Sequence, residues 1–572
     1  MTSSGKNISQ LQTAFNKLAD SSRFYSIERE NAIWFYDCHT QTIFSINKNH
    51  YKKLIEKDSQ KLSDFINDSS IEENSYFLAL YSQIIKNDAD NTFYQVFDPK
   101  CNVMINTSNR CNLNCSYCYR DKKNAAVNNV QNIRKAIEWV MHKYKPNASE
   151  FVFTYSMSSE SSVDLQLLQE IKKDYVYYEP QFFNTKEIIL STVDEFYSQL
   201  KNDLGSKTKN IFDDNKIINA TTIVEILNEL LTVRNLYELL GMSEKMFEKE
   251  AVKEIRRRNS YSEWKAYRVN RWILEIKYSE FIDISQKPTP QYPGFSIFTN
   301  GTCGTSEYIN FLKSIGMDDI NISIDGPKEV HDFNRKFYDE KGSYDSVIAN
   351  AQKIKDSGII IRASSVITAH FPKPLKIAEH LKEKGFSSIT MTPIRPGYEV
   401  SFTEKNINEL LQGYDELFER IKQDLLHNDL SLLSFIKDDY SMNALNLFLS
   451  KNKQITRCNL ENQIVINAKG DIYNCLYFES HNQKKIGNID SGITNDQEFQ
   501  IDKTVKNREP CNKCWARFLC GGTCFYSSFK MTGSIIGNEP VECKLRKHLA
   551  ILTLDLLIFC KENNINLSNS NN

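Results

Sequence analysis

The chain has 572 residues, enough for about three or four domains at the usual domain size, so a single small binding module is excluded. Lysine plus arginine (71) balances aspartate plus glutamate (72), and a net charge of −1 gives no electrostatic footprint for nucleic acid or an anionic membrane. Hydrophobic residues at 41% and charged residues at 25% are those of a folded protein, which excludes disorder over most of the length.

The first residues are polar, and 1–10 lack the apolar core of a secretory signal. β-prone runs at 32–36 and 42–46 flank the polar stretch 38–41 and predict a hairpin. A helix should follow from about residue 47 or 49, and helical spacing continues through Leu62, Phe65, Ile66, Phe77, Leu78 and Tyr81. Residues 1–100 thus make an N-terminal α/β module. A strand at 103–105 runs into a cysteine cluster, and a helix around 130–144 precedes a strand at 152–155. Strand and helix signals alternate again at 296–298, 308–315, 320–324, 347–356, 359–366, 374–384 and 389–391, which argues for parallel βα units in one sheet or barrel over 101–400. Residues 165–290 break that rhythm: Thr222-Ile-Val-Glu225 is a capping box, and Leu227, Leu230 and Leu231 follow at helical spacing, so a helical insertion is expected. Within it, Ile255-Arg-Arg-Arg258 reads as a solvated helix face, with a patch that grips an acidic partner as the alternative. A helical bridge at 401–455 leads to a cysteine-rich end at 456–572. No run approaches the ~20 apolar residues of a membrane span; the best, 549–560, is short and carries Asp555, so a cytoplasmic protein is expected.

Fourteen cysteines in a reducing compartment are more readily metal ligands or core residues than disulfides. Cys111, Cys115 and Cys118 form a C-x3-C-x2-C cluster in a polar loop after a strand. Three thiolates so close can wrap one soft-metal centre. A structural zinc site is closed by four ligands, whereas three cysteines on a four-iron cluster leave one iron open; zinc is the alternative. The motif, with Tyr117 before the third cysteine, resembles that of the radical S-adenosylmethionine (radical SAM) superfamily. The resemblance implies that these cysteines hold a [4Fe-4S] cluster that chelates SAM, whose reductive cleavage gives a 5′-deoxyadenosyl radical. Thr299-Asn300-Gly301-Thr302 is similar to the family's TNG motif, Ser323-Ile-Asp325-Gly-Pro327 to its SxDGP motif, and Met391-Thr-Pro393 stands where a later strand contacts the adenosyl group. Tyr117, Glu160, Asn300, Ser323 and Asp325 are the implied SAM-pocket residues. The family's Gly-Gly-Glu-Pro segment reads Ser158-Ser159-Glu160-Ser161 here, with serines in place of both glycines. The implied fold is α/β, a partial (β/α)6 TIM-like barrel carrying the helical insertion.

Seven cysteines from Cys458 to Cys543 are too many for one mononuclear site, and zinc-ribbon pairs are again the alternative. Their spacing resembles the SPASM domain, an iron-sulfur extension of radical SAM enzymes that modify peptides and proteins. Cys511, Cys514, Cys520 and Cys543 would then hold one auxiliary [4Fe-4S] cluster, and Cys458, Cys475 and Cys524 a nearer one, making three clusters with the first. Some relatives have an eighth cysteine, but 452–457 has none, so the nearer cluster would keep an open iron suited to a substrate thiolate. Sulfatase-maturating relatives place an aspartate after the cysteine matching Cys475; Leu476 stands here and argues against formylglycine formation. The runs at 32–37 and 42–46, with Tyr51 and Leu54, resemble the start of a leader-peptide recognition element, which offers a sheet edge to an extended peptide. The expected function is a radical SAM maturase of a ribosomally made precursor peptide, of the sactipeptide or ranthipeptide type, that forms a cysteine thioether. A carbon-carbon crosslink, epimerisation or decarboxylation share its opening step. A reading of another class is a non-catalytic iron-sulfur electron carrier or scaffold. RNA modification is set aside by neutral charge and the lack of an RNA-binding motif. Expected partners are the precursor with its leader and a flavodoxin- or ferredoxin-type electron donor, with no nucleic acid and no membrane. Cys38, Cys101, Cys303 and Cys560 are isolated and read as small core residues.

Overall fold

The computed structural model describes residues 20–48, 51, 101–106, 108, 110–120, 127–144, 151–157, 160, 165–170, 294–314, 317–437, 440–458, 460, 463–495 and 501–567. The expected helix over 61–86, the serines at 158 and 159, the capping box at 222–225 and the arginines at 256–258 lie outside them. Of the expected insertion only 165–170 is described, and it is helical.

Strands β1 (Phe24–Glu28), β2 (Ala32–Asp37) and β3 (Thr42–Asn47) form an antiparallel sheet in the order β1-β2-β3. The expected hairpin is β2–β3, with Phe35 opposite Phe44 and Asp37 opposite Thr42. Strand β1 adds a third member, placing Tyr25 opposite Tyr36. Its alternating Phe-Tyr-Ser-Ile-Glu fits the period of two that a half-buried strand requires.

The main sheet begins with β4 (Cys101–Asn106), followed by helix α1 (Val130–Tyr144), β5 (Phe151–Met157) and β6 (Gly294–Thr299). Helix α2 (Ser306–Ser314) then leads to β7 (Asp319–Ser323), and α3 (Lys328–Asn334) and α4 (Tyr344–Asp356) lead to β8 (Ile360–Ile367). Helix α5 (Pro374–Glu383) leads to β9 (Ile389–Pro393). Strands β4 to β9 are parallel neighbours in chain order. Parallel neighbours cannot be joined by a tight turn, which is why a helix intervenes between them. Their carboxyl ends share one edge of the sheet, the edge at which α/β proteins bind ligands.

Three helices follow, α6 (Ile407–Leu426), α7 (Ser431–Phe435) and α8 (Asn443–Leu449). Helix α6 buries Leu410, Tyr414, Leu417, Phe418 and Ile421, a stripe at three-to-four spacing. The cysteine-rich end then returns to the sheet. Strand β10 (Gln463–Ile466) pairs parallel with β4, Val465 opposite Met104, and β11 (Asp471–Tyr473), β12 (Gly487–Asn488) and β13 (Gly492–Ile493) extend it antiparallel. Helices α9 (Arg517–Cys520), α10 (Phe525–Thr532) and α11 (Pro540–Glu562) close the chain. Helix α11 starts with Pro540 at its first position, and the Glu539 carboxylate caps the N–H groups of Val541 and Glu542. It packs along α6. Among the described residues no helix is long and apolar enough to cross a membrane.

The N-terminal sheet is fastened to this C-terminal end. Tyr25 stacks on Trp515 with ring centroids 4.0 Å apart. Arg517 donates to the carbonyl of Ser22 at 2.6 Å and lies 2.8 Å from His39 Nε2. Trp34 Nε1 donates to Glu562 at 3.0 Å, and Arg29 pairs with Asp555. Inside the sheet Arg23 grips Asp37 with two bonds, Nε to Oδ1 at 3.0 Å and Nη2 to Oδ2 at 2.9 Å, both side chains buried. Removing one partner of such a pair leaves an uncompensated buried charge, a loss of about 3–5 kcal/mol. Arg23→Ala should therefore release the N-terminal sheet: amide hydrogen exchange is expected to rise across 24–47 while β7 and β8 keep their protection. Unchanged exchange in 24–47 would show that the pair does not hold the sheet.

Candidate active site at the carboxyl edge of the parallel strands

The loop of Cys111, Cys115 and Cys118 follows β4 and lies against the segment after α3. The N–H of Ser116 donates to Asn334 O at 2.9 Å, that of Asn114 to Lys336 O at 2.7 Å, and Leu113 makes a β-bridge with Phe337. The loop therefore owes its shape to a helix end some 220 residues away in sequence.

Two buried carboxylates brace it. Glu160, whose own N–H donates to Arg110 O at 3.1 Å, accepts the Thr299 hydroxyl at 2.7 Å and the Asn300 N–H at 2.5 Å. That holds the Thr-Asn-Gly turn beneath the loop, where Gly301 has φ of +75° and a Cβ would lie 2.8 Å from Ile322 and Val347. The Asn300 amide donates to Asn112 Oδ1 at 2.7 Å and lies 3.6 Å from Cys111 Sγ. On the other side Asp325 accepts the Tyr117 hydroxyl at 2.5 Å and the Val366 N–H at 3.1 Å, and pairs with Arg335 Nε at 3.1 Å. The Arg335 guanidinium lies over the Tyr117 ring at 5.3 Å. Ser323 ends β7, two residues before Asp325. All five implied SAM-pocket residues thus stand around the cysteine loop or at the adjoining strand ends. Arg335 and His331, which complete the network, were not read from the sequence; no local pattern marks them, because their partners are fixed by the fold. His331 Nδ1 accepts from the Asp325 N–H at 3.3 Å, and its Nε2 lies 2.9 Å from Ser343 Oγ.

The C-terminal thiols fall into two groups. Cys511, Cys514, Cys520 and Cys543 line one pocket with Lys547 and Arg517, and no carboxylate or imidazole is among its lining residues. Cys458, Cys475 and Cys524 pack around a second core of Leu460, Val465, Tyr473, Phe478 and Phe525. Arg395, beyond the end of β9, stands near Cys524 and within 4.0 Å of Glu542. Burial opposes the charge of Glu542, yet Arg546 and Arg395 hold its pKa down at about 2. Burial pushes the thiols the other way: Cys115 and Cys511 rise to about 11, Cys475 and Cys543 to about 12. Thiols so placed stay protonated until a cation replaces the proton. Among the described residues no three His, Cys, Asp or Glu side chains are arranged for a single metal ion; the thiols stand in looser groups whose members still act on one another's ionisation.

The donor set fits a sulfur-ligated soft-metal group, since thiolates are the only acidic groups lining the four-thiol pocket. Two buried amides fit a group held there: Asn474, beside Cys475, and Asn334, beside the first loop, have side-chain atoms with no protein partner. Of the four isolated cysteines, Cys38 and Cys560 are buried and Cys303 is half-buried, while the Cys101 side chain lies outside the described residues.

No family model matches the chain. It is 24% identical over 265 residues to a cysteine-type anaerobic sulfatase-maturating enzyme of Clostridium novyi, a stretch of 43% of this chain and 68% of that protein. To the serine-type enzyme of Bacteroides thetaiotaomicron it is 24% identical over 265 residues, 43% and 63% of the two chains. To mycofactocin maturase MftC of Mycobacterium tuberculosis it is 24% identical over 277 residues, 46% and 67%. The chain spans about two thirds of the length of these relatives. Its fold is shared with anSMEcpe, solved with bound AdoMet, at a TM-score of 0.51 and 15% identity, covering 82% of this chain and 97% of that one. The sequence relationship and the shared α/β fold make the chain an enzyme similar to those of the radical SAM class. More particularly, its relatives are maturating enzymes.

Burial keeps His331 neutral and brings its pKa from 6.5 to about 4. Between those values the unfolded chain binds the additional proton, so the stabilisation is complete above pH 6.5 and is lost as pH falls toward 4. Urea midpoints of the wild type should drop between pH 7 and pH 5, and His331→Gln should flatten that slope; equal slopes in the two proteins would count against a buried neutral imidazole.

Proposed function

We propose that the chain is a radical SAM maturase of a ribosomally made precursor peptide, and that its product is a cysteine thioether. The observation that carries the proposal is the three-cysteine loop at the carboxyl edge of a parallel sheet, with seven further thiols grouped in the C-terminal part. Cys111, Cys115 and Cys118 would hold the cluster that binds SAM. Cys511, Cys514, Cys520 and Cys543 would hold one auxiliary cluster and Cys458, Cys475 and Cys524 another, in a SPASM-like unit. Once bound, the first cluster and SAM supply a 5′-deoxyadenosyl radical able to take hydrogen from an unactivated carbon. In this reading residues 1–100 recognise the leader, 101–400 form a partial (β/α)6 barrel around the insertion, 401–455 bridge, and 456–572 carry the auxiliary clusters. The protein would work in the cytoplasm with a flavodoxin- or ferredoxin-type donor.

The chain's own residues have definite tasks under this reading. Glu160, through Thr299 and Asn300, and Asp325, through Tyr117, fix the cysteine loop from two sides. The Asn300 amide, 3.6 Å from Cys111 Sγ, can donate to that sulfur when it is a thiolate. The sulfatase- and mycofactocin-maturating relatives support a peptide or protein substrate. Leu476 after Cys475 offers no carboxylate base, which favours a crosslink over formylglycine formation. With no cysteine in 452–457 to close the three-thiol group, a substrate thiolate has a place to bind, and that favours sulfur as the new partner.

Anaerobically reconstituted protein should contain about twelve irons, as three four-iron clusters require. It should release 5′-deoxyadenosine from SAM with dithionite, and lose that activity when Cys111, Cys115 and Cys118 are changed to Ala. Co-expressed with its precursor, it should give a peptide lighter by two hydrogens with one thiol no longer trappable. A carbon-carbon link would leave that thiol free, and an epimer would leave the mass unchanged. Zinc in place of iron, or no SAM cleavage, would favour the non-catalytic scaffold.

A further inference from the structure

A run of tyrosines leads from the first cysteine loop to the C-terminal three-thiol group. Tyr119 follows Cys118 directly, and its ring centroid lies 4.6 Å from that of Tyr477 at an interplanar angle of 40°. Tyr477, two residues after Cys475, lies 5.0 Å from Tyr526 at 35°, and Tyr526 is two residues after Cys524. Tyr398, from the loop after β9, hydrogen-bonds Tyr526 and stands close to Tyr119, Tyr477 and Cys118. A guanidinium covers each of two rings, Arg120 over Tyr119 at 5.0 Å and Arg395 over Tyr477 at 5.6 Å. Ordinary core packing would explain Tyr526, which sits against Phe478 and His481. The same core accounts for Tyr477 but not for Tyr119, which lies outside it and carries the run on to Cys118 of the first loop.

We propose that Tyr119, Tyr477 and Tyr526 form an electron path between the C-terminal three-thiol site and the first cysteine loop, an inference that rests on the function proposed above. The electron balance of that function gives such a path a use. Forming a carbon-sulfur bond from a carbon radical and a thiolate releases one electron, the thiol proton having gone to solvent. Cleaving SAM at the first loop takes up one electron. Passing the released electron back closes the balance: the peptide is oxidised by two electrons, SAM is reduced by two, and the external donor is needed only to start the cycle. The rings act through their π contacts, so no tyrosine loses a proton or an electron.

The test uses the full chain, anaerobically reconstituted and flash-reduced, with electron redistribution followed by freeze-quench paramagnetic resonance. The signal of the first site is marked by its change when SAM binds. Y119L and Y477L should each slow redistribution several-fold, and Y477F, which keeps the ring, should restore the wild-type rate. Iron content and melting temperature are measured for every variant. Tyr119 lies outside the packed core around Tyr526, so Y119L reads the same path even where Y477L folds poorly. Wild-type rates in iron-replete Y119L and Y477L would overturn the path and leave the enzyme reading standing. A wild-type protein with no iron-sulfur signal would overturn both.

Discussion

A carboxylate that is fully buried must be paired, and Asp325 meets that requirement with donors from three separate parts of the chain. Tyr117 comes from the cysteine loop, Val366 from β8, and Arg335 from the segment after α3. Satisfying one charge therefore fixes the position of all three. The loop could not keep its shape alone, since a glycine-poor polar stretch of this length has no secondary structure to hold it; its backbone instead bonds to Asn334 and Lys336. Glu160 does the same work from the opposite side through Thr299 and Asn300. Two buried acids, beyond the ends of β5 and β7 with β6 between them, thus convert a sheet edge into a seat for three thiols.

Much of this fold was legible in the sequence, and the reason differs between elements. Helix α1 has the expected bounds, and β7, β8, β9, α2, α4 and α5 differ from expectation by a few residues, because 3.6- and two-residue periodicities survive wherever one face is buried. Strands β10 to β13 were not read, because runs of two to four residues such as Gly487–Asn488 carry no period at all. They exist because β4 offers an unpaired edge, a long-range fact. The cysteine groups were legible for the opposite reason: wrapping a small inorganic centre needs ligands a few residues apart, so the chemistry leaves a local trace. The pairing of Cys543 with Cys511, Cys514 and Cys520 came from resemblance, and their shared pocket is where the fold brings them.

The docking of the N-terminal sheet illustrates the same division. Its hairpin was visible as alternating apolar runs, but its seat was not. Part of that seat is Trp515 and Arg517, residues lodged between Cys514 and Cys520. A sheet expected to meet a leader peptide therefore rests on the loop that carries two thiols of the four-thiol pocket, so order in one region is mechanically tied to order in the other.

Charge compensation runs through all three thiol groups. Arg335 lies near Cys115; Arg457 and Arg395 near Cys458; Arg508 and Lys547 near Cys511; Arg546 and Arg457 near Cys520. A cluster with thiolate ligands brings net negative charge into a low-dielectric interior, where it is tolerated only beside cations or donors. Arginine suits that task because its charge is never lost and its fork can serve two acceptors, as Arg335 does with the Asp325 carboxylate and the Tyr117 ring, and Arg395 with Glu542 and the Tyr477 ring. The acids Asp325 and Glu542 then have a second role beyond bracing the backbone. They hold the Arg335, Arg395 and Arg546 guanidinium groups in place and temper their charge, so that each thiol group meets at least one cation already fixed in position.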